Sequence, residues 1–230
     1  QLNIKYPFFL SNKMPQKQKI LARGAEAILI HQGTHLLKRR VQKRYRHPAL
    51  DAQLRTRRTK LESRILEKAS NLVAVPKVLH VREHEIEMEF IPGKVLSEAL
   101  DSLTPKVQEE VAKNLGADVA RLHSSNIIHG DLTTSNLICT FFGKESAPRK
   151  LNKIFFIDFG LGFHSERIED RAVDLHLLRE ALKSKHFRIA EKFFASFAKE
   201  YTKSYKRGKE VLARMHEVES RGRYKEKGML

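Results

Sequence analysis

An acid, an amide and a second acid at fixed spacing constrain this chain more than anything else in it. The stretch Ile127-Ile128-His129-Gly130-Asp131-Leu132-Thr133-Thr134-Ser135-Asn136 is followed by Phe156-Ile157-Asp158-Phe159-Gly160. These side chains, in this order, suit phosphoryl transfer. Asp131 accepts or orients the proton of an attacking hydroxyl, while Asn136 and Asp158 supply oxygen ligands to magnesium ions that bridge nucleotide phosphates. His129 reads as structural, packed behind the loop. A lone Asp-Phe-Gly or His-Gly-Asp would mean little; the ordered set with an upstream lysine and glutamate is specific.

A site of that design needs a cleft between a sheet and a helical body. The expected fold is therefore α+β, two-lobed and protein-kinase-like. Residues 1–91 should form a small β-rich N-terminal lobe with one helix, and residues 92–230 a helical C-terminal lobe carrying the catalytic loop, the metal-binding loop and a basic tail.

Within the first lobe, residues 20–37 read as two short strands, with the apolar run 21–30 joined through Gln32-Gly33 to residues 34–37. Gly24, with Ala25 and Glu26, would let backbone amides approach phosphates. The three-glycine pattern of protein kinases is absent, and a lone glycine equally makes an ordinary turn. Lys38, at the strand end, is placed to reach the α- and β-phosphates. Its acidic partner is expected from a helix over 51–69, where Glu62 sits among Leu54, Leu61, Ile65 and Leu66; a solvated helix pair is the alternative. Asp131, Lys38 and Glu62 form the expected catalytic set. Residues 77–81 and 85–91 alternate as a second strand pair that ends at Pro92-Gly93. The backbone at Glu89 and Ile91 would pair with an adenine edge, with Met88 behind the ring; read alone, the segment is equally an edge strand ended by a turn.

In the second lobe, Thr104-Pro105 marks a helix start. Val107, Val111, Leu115, Val119 and Leu122 then recur every three or four residues as a buried stripe. Ile127-Ile128 reads as a short strand feeding a tight loop. Gly130 stands where protein kinases carry the arginine that answers an activation-loop phosphate, so no such switch is expected. Only residues 161–173 separate Gly160 from Asp174, which reads as the start of a helix and a cap for the catalytic loop. That leaves no shelf for a peptide substrate. Phe193, Phe194, Phe197 and Tyr201 have helical spacing and read as core, and residues 141–152 as a hairpin loop.

Lys and Arg number 44 against 27 Asp and Glu, a formal charge of +17 that favours a polyanionic partner such as RNA, DNA or an acidic protein face. The bland alternative is a small protein that is simply basic. The densest region runs through Lys38, Arg39, Arg40, Lys43, Arg44 and Arg46 to Arg55, Arg57 and Arg58, most of it read as surface. Cys139 is the only cysteine, which precludes an internal disulfide and fits a reducing intracellular compartment. No apolar run approaches the roughly 20 residues of a membrane helix, so a soluble protein with no membrane partner is expected.

Several stretches together resemble one family. They are Arg23-Gly24-Ala25-Glu26-Ala27, Tyr45-Arg46-His47-Pro48-Ala49-Leu50-Asp51, Gly130-Asp131-Leu132-Thr133-Thr134-Ser135-Asn136, Ile157-Asp158-Phe159-Gly160-Leu161, Glu169-Asp170-Arg171-Ala172-Val173-Asp174-Leu175 and Arg221-Gly222-Arg223. The family is PRPK, the small atypical, RIO-like kinase/ATPase subunits of the KEOPS complex. The resemblance covers roughly residues 20–225 and is most specific in Gly-Asp-Leu-Thr-Thr-Ser-Asn. It implies ATP and magnesium as cofactors, and a role in installing N6-threonylcarbamoyladenosine beside the anticodon of tRNAs reading ANN codons. It also implies contact with the metal-dependent threonylcarbamoyl-transferring KEOPS subunit and a small tRNA-binding KEOPS subunit. Location would be cytoplasmic, and also nuclear in a eukaryote. On this view Arg39, Arg40, Lys43 and Arg44, with Lys206, Arg207, Arg214, Arg221, Arg223, Lys225 and Lys227, would face tRNA or the catalytic partner. Tyr224 and Glu226 depart from the family's uniformly basic ending.

Three functions stay open on the sequence: an ATPase subunit of the tRNA-modifying complex, a free-standing serine/threonine protein kinase, and a scaffold that binds nucleotide only to hold its shape. Small-molecule phosphotransfer is a distant fourth.

Overall fold

Short alternating runs broken by glycine build the first half of the molecule. The computed structural model describes residues 19–24, 26–142 and 150–227, with backbone alone for Phe142 and 221–227. Strands β1 (Lys19–Arg23), β2 (Ala27–Gln32) and β3 (His35–Arg40) form a meander. Gly24 N–H donates to the Ala27 carbonyl (2.9 Å) in the first turn, and Gly33, at φ 69°, makes the second. The run 21–30, expected as one strand, is therefore two. The chain reverses at Gly24, so β1 pairs antiparallel with β2 rather than extending it.

Helix α1 (Pro48–Ala69) follows, then β4 (Val78–Val81) and β5 (Glu85–Glu89). The five strands make an antiparallel sheet in the order β1-β2-β3-β5-β4, with Lys38 opposite Leu29 on one side and Ile86 on the other. Helix α1 begins earlier than expected because Pro48 occupies its first turn, where a missing N–H costs nothing. Its buried stripe is Glu62, Ile65, Leu66 and Ala69, spaced i, i+3, i+4, i+7. Leu61, expected within that stripe, lies at its edge and is exposed.

The second half contains β6 (Lys94–Val95), α2 (Leu96–Ala99), a 3-10 turn (Leu100–Ser102), α3 (Pro105–Ser124), β7 (Ile127–Ile128) and a second 3-10 turn (Thr134–Asn136). There follow β8 (Leu137–Phe142), β9 (Lys150–Phe156), β10 (Phe163–His164), α4 (Ile168–Lys185), α5 (Ala190–Ser204) and α6 (Gly208–Lys227). Helix α3 starts at Pro105 as expected, although the Thr104 hydroxyl makes no capping bond. Its stripe of Val107, Val111, Leu115, Val119 and Leu122 is buried, as are Phe193, Phe194, Phe197 and Tyr201 of α5. Gly116 permits the close helix contact, since a Cβ there would stand 2.5 Å from the Phe197 carbonyl.

Strands β6, β8 and β9 form a small antiparallel sheet, and β7 pairs with β10. Of residues 141–152, expected as a hairpin loop, Phe141 and Phe142 belong to β8 and 150–152 to β9, while residues 143–149 lie outside the described residues. Helix α4 begins at Ile168, so Asp174 lies inside the helix rather than at its start. Glu169 and Asp170 in the first turn favour that earlier start by complementing the helix dipole. Among the described residues no helix is long and apolar enough to cross a membrane.

Candidate active site

Strand alternation sends Lys38 and Arg40 to one face of β3 and Arg39 to the other. Lys38 and Arg40 are buried accordingly, and Arg39 is exposed. Helix α1 brings the buried Glu62 against both cations. Lys38 Nζ donates to Glu62 Oε1 and to Asp158 Oδ1, each at 2.6 Å, and Arg40 Nη2 donates to Glu62 Oε2 at 2.6 Å. Each glutamate oxygen thus has its own cation, the arrangement a buried charge needs to offset its desolvation. Asp158 adopts φ 60°, an uncommon conformation for a non-glycine residue that costs on the order of 1–3 kcal/mol. Burial would push its carboxyl up. The charge and hydrogen bond of Lys38, with the Gly160 N–H at 3.2 Å, outweigh burial and hold it below the usual carboxylate range.

The loop below is fixed from α4. Asp174 accepts the His129 N–H (2.7 Å) on Oδ2 and the Gly130 N–H (2.9 Å) on Oδ1, so it caps the catalytic loop as its position suggested. Gly130 sits at φ 79°, and a side chain there would collide with the Leu161 carbonyl. The missing arginine therefore has a local steric cause. His129 is buried, with its ring 4.5 Å from that of Phe159. Its Nδ1 accepts the Asp131 N–H (3.4 Å), and its Nε2 lies 3.1 Å from the Ile157 carbonyl, which assigns the proton to Nε2. Burial pulls its pKa below the ordinary value despite the surrounding carboxylates. Asn136 Nδ2 donates to the Asp131 carbonyl (2.9 Å) and to its Oδ2 (2.8 Å), orienting that carboxylate. The Asn136 amide oxygen and the Asp158 carboxylate border the same cavity and are hard donors of the kind magnesium accepts while keeping several waters.

Two cavities meet here. One, of about 390 Å³, is walled by apolar residues including Leu29, Leu36, Leu66, Met88, Ile91 and Ile138, and it reaches Lys38, Glu62, Glu89, Asn136 and Asp158. The other, of about 340 Å³, is walled by Gly24, Glu26, Lys38, Arg40, Arg58, Asp131 and Asp158. Leu29, Lys38 and Asp158 border both. An apolar slot opening into a charged chamber suits a flat heteroaromatic base carrying phosphates. Every residue expected at the site borders one of these cavities except Ala25, which lies outside the described residues.

Arg40 corrects the sequence reading, which set it among surface cations. It is buried behind the site because period-two alternation aligns it with Lys38, and that spacing was the signal available for it. Other cations expected to face a partner already have carboxylate neighbours: Arg39 bonds Glu85, Arg207 bonds Glu210, and Arg214 contacts Glu169 and Glu217. The side chains of Arg221, Arg223, Lys225 and Lys227 lie outside the described residues.

The sheet, the helical body and the shared lysine between them define a protein-kinase-like protein of the RIO type, and the RIO domain family matches residues 32–159. The chain is 37% identical over 227 residues to the KEOPS complex subunit Bud32 of Pyrococcus abyssi, covering 92% of this chain and 99% of that one. This chain belongs to the Bud32 family of RIO-type atypical kinases. It is also 36% identical over 220 residues to a probable bifunctional tRNA threonylcarbamoyladenosine biosynthesis protein of Methanobrevibacter smithii, of which it spans 37%. Among solved structures, the Rio2 kinase of Chaetomium thermophilum in an ADP/Mg2+-phosphoaspartate complex aligns with a TM-score of 0.62 at 16% identity, covering 88% of this chain and 70% of that one. That likeness bears on the fold alone.

Proposed function

We propose that the chain is the ATP-hydrolysing subunit of a KEOPS assembly and supports N6-threonylcarbamoyladenosine formation in tRNAs reading ANN codons. The observation that carries this reading is Lys38, held by Glu62 and Asp158 where the apolar and charged cavities join. The base would enter the apolar cavity with Met88 behind it, bonded by the Glu89 carbonyl and the Ile91 N–H. Glu89 uses its own N–H on the Lys77 carbonyl (2.9 Å), and the Lys77 N–H goes to the Glu89 carboxylate (3.3 Å). Both bonds favour the Glu89 carbonyl as the hinge acceptor.

Lys38 would hold the inner phosphates, with Glu62 positioning it and with Gly24 and Glu26, which border the same cavity, beside them; Ala25, expected with these two, lies outside the described residues. Asn136 and Asp158 would hold magnesium, which neutralises charge on the phosphate oxygens when bound. Asp131 takes the proton of the attacking water as that oxygen bonds the terminal phosphorus; the bridging bond breaks and its electron pair leaves with ADP. The short path from Asp158 to α4, which contains only the two-residue β10, favours water over a peptide hydroxyl. A lobe boundary at 91/92 fits Ile91, buried at the cavity edge just before Pro92.

The partners would be the threonylcarbamoyl-transferring and small tRNA-binding KEOPS subunits, with tRNA met through the complex, in the cytoplasm and in a eukaryote also the nucleus. ATP turnover should rise when the transferase subunit and tRNA are added; no rise at any salt concentration would overturn the proposal. The catalytic geometry also admits a serine/threonine protein kinase, which would reveal itself by phosphorylating a protein far faster than it hydrolyses ATP.

A further inference from the structure

We propose that Arg40 binds the terminal phosphate of the nucleoside triphosphate, making the charged cavity a subsite for the group that departs as inorganic phosphate. This rests on the nucleotide-binding reading above. The Arg40 side chain is 5% exposed, and it borders the charged cavity but not the apolar one. Lys38 borders both. Phosphates running from the base slot past Lys38 therefore end among Arg40, Asp131 and Asp158.

The guanidinium is underused where it stands. It can donate five N–H bonds; Nη2 bonds Glu62 at 2.6 Å, and the buried Nε has no hydrogen-bond partner among the described residues. Gly160 keeps the approach clear, because a Cβ there would stand 2.9 Å from Asp158 Oδ1 and 3.4 Å from Arg40 Nη2. A planar fork beside a metal-binding carboxylate matches a phosphate with several non-bridging oxygens. It would also stand where negative charge spreads over those oxygens during transfer. The competing role is bracing: Arg40 holds Glu62, Glu62 holds Lys38, and Lys38 serves phosphates common to di- and triphosphate.

Calorimetric titration of the full chain with magnesium separates these roles, using ADP and the non-hydrolysable triphosphate AMP-PNP on wild type, Arg40→Gln and Arg40→Lys. Arg40→Gln should weaken AMP-PNP about tenfold or more while leaving ADP within about twofold, as expected for loss of a charge-assisted bond to one phosphate. Arg40→Lys keeps a cation on Glu62 and should fall between wild type and Arg40→Gln in its AMP-PNP to ADP preference. Parallel weakening of both nucleotides overturns the proposal in favour of bracing, and no change in either overturns it outright. If thermal melts show that Arg40→Gln is unfolded, Arg40→Lys decides alone, and an unchanged preference refutes the subsite. Wild type binding neither nucleotide would overturn the nucleotide-binding reading itself, an outcome distinct from failure of the Arg40 variants.

Discussion

Replacing Glu62 by Gln should destabilise the fold as well as the site. The side chain is 1% exposed and lies 2.6 Å from each of two buried cations. Breaking a buried ion pair by removing one partner costs about 3–5 kcal/mol, because the remaining charge stays desolvated. Lys38 keeps Asp158 at 2.6 Å, which places the expected cost at the lower end, while Arg40 loses its carboxylate. At about 2–4 °C per kcal/mol for a chain of this size, a loss of about 3 kcal/mol lowers Tm by about 6–12 °C. Differential scanning calorimetry of wild type and Glu62→Gln without nucleotide measures it directly. A Tm within about 1 °C of wild type would refute the view that Glu62 neutralises both cations.

Asp174→Asn should slow ATP turnover and cost about 1–3 kcal/mol in urea unfolding, since the His129 and Gly130 N–H groups bond different carboxylate oxygens and one of these becomes an NH2 donor. Asp118, in contact with Arg121, has its carboxyl pushed up by burial to about 6. Its ionisation thus opposes folding increasingly as pH climbs from 3.8 through about 6. Asp118→Asn should stabilise by about 1–3 kcal/mol near pH 7.5 and by little near pH 4, measured by urea titration at both. His129 is neutral in the fold with its pKa below 6.5, so the unfolded chain binds its proton first and stability is lost as pH falls below that value. Urea midpoints of wild type and His129→Gln should differ in acid slope, with the variant flatter.

The residues that were legible in the sequence have chemistry tied to spacing. Asp131 and Asn136 share one loop, Asp158 precedes Phe-Gly, and Lys38, expected at a strand end but lying two residues inside β3, precedes a helix with a single well-placed acid. Arg40 was hidden because a run of cations reads as solvated surface, and only alternation from Lys38 separates it from Arg39. The split at Gly24 is not legible in the sequence because its turn depends on β1 pairing back onto β2, a tertiary choice that local hydrophobicity does not encode. The true start of helix α4, at Ile168, is silent in the sequence for a related reason. Its first turn carries no side-chain cap on Arg167, so the usual start signal is absent. Leu61 shows the limit of counting apolar positions, since burial follows the face that Glu62 must share.

Asp131 carries the central claim, and single-turnover ATP hydrolysis by Asp131→Asn, with nucleotide affinity measured in parallel, tests it most directly. The account predicts binding close to wild type and turnover reduced by about 10²–10⁴-fold, the usual contribution of a positioned general base. Full turnover by a folded Asp131→Asn protein would contradict it.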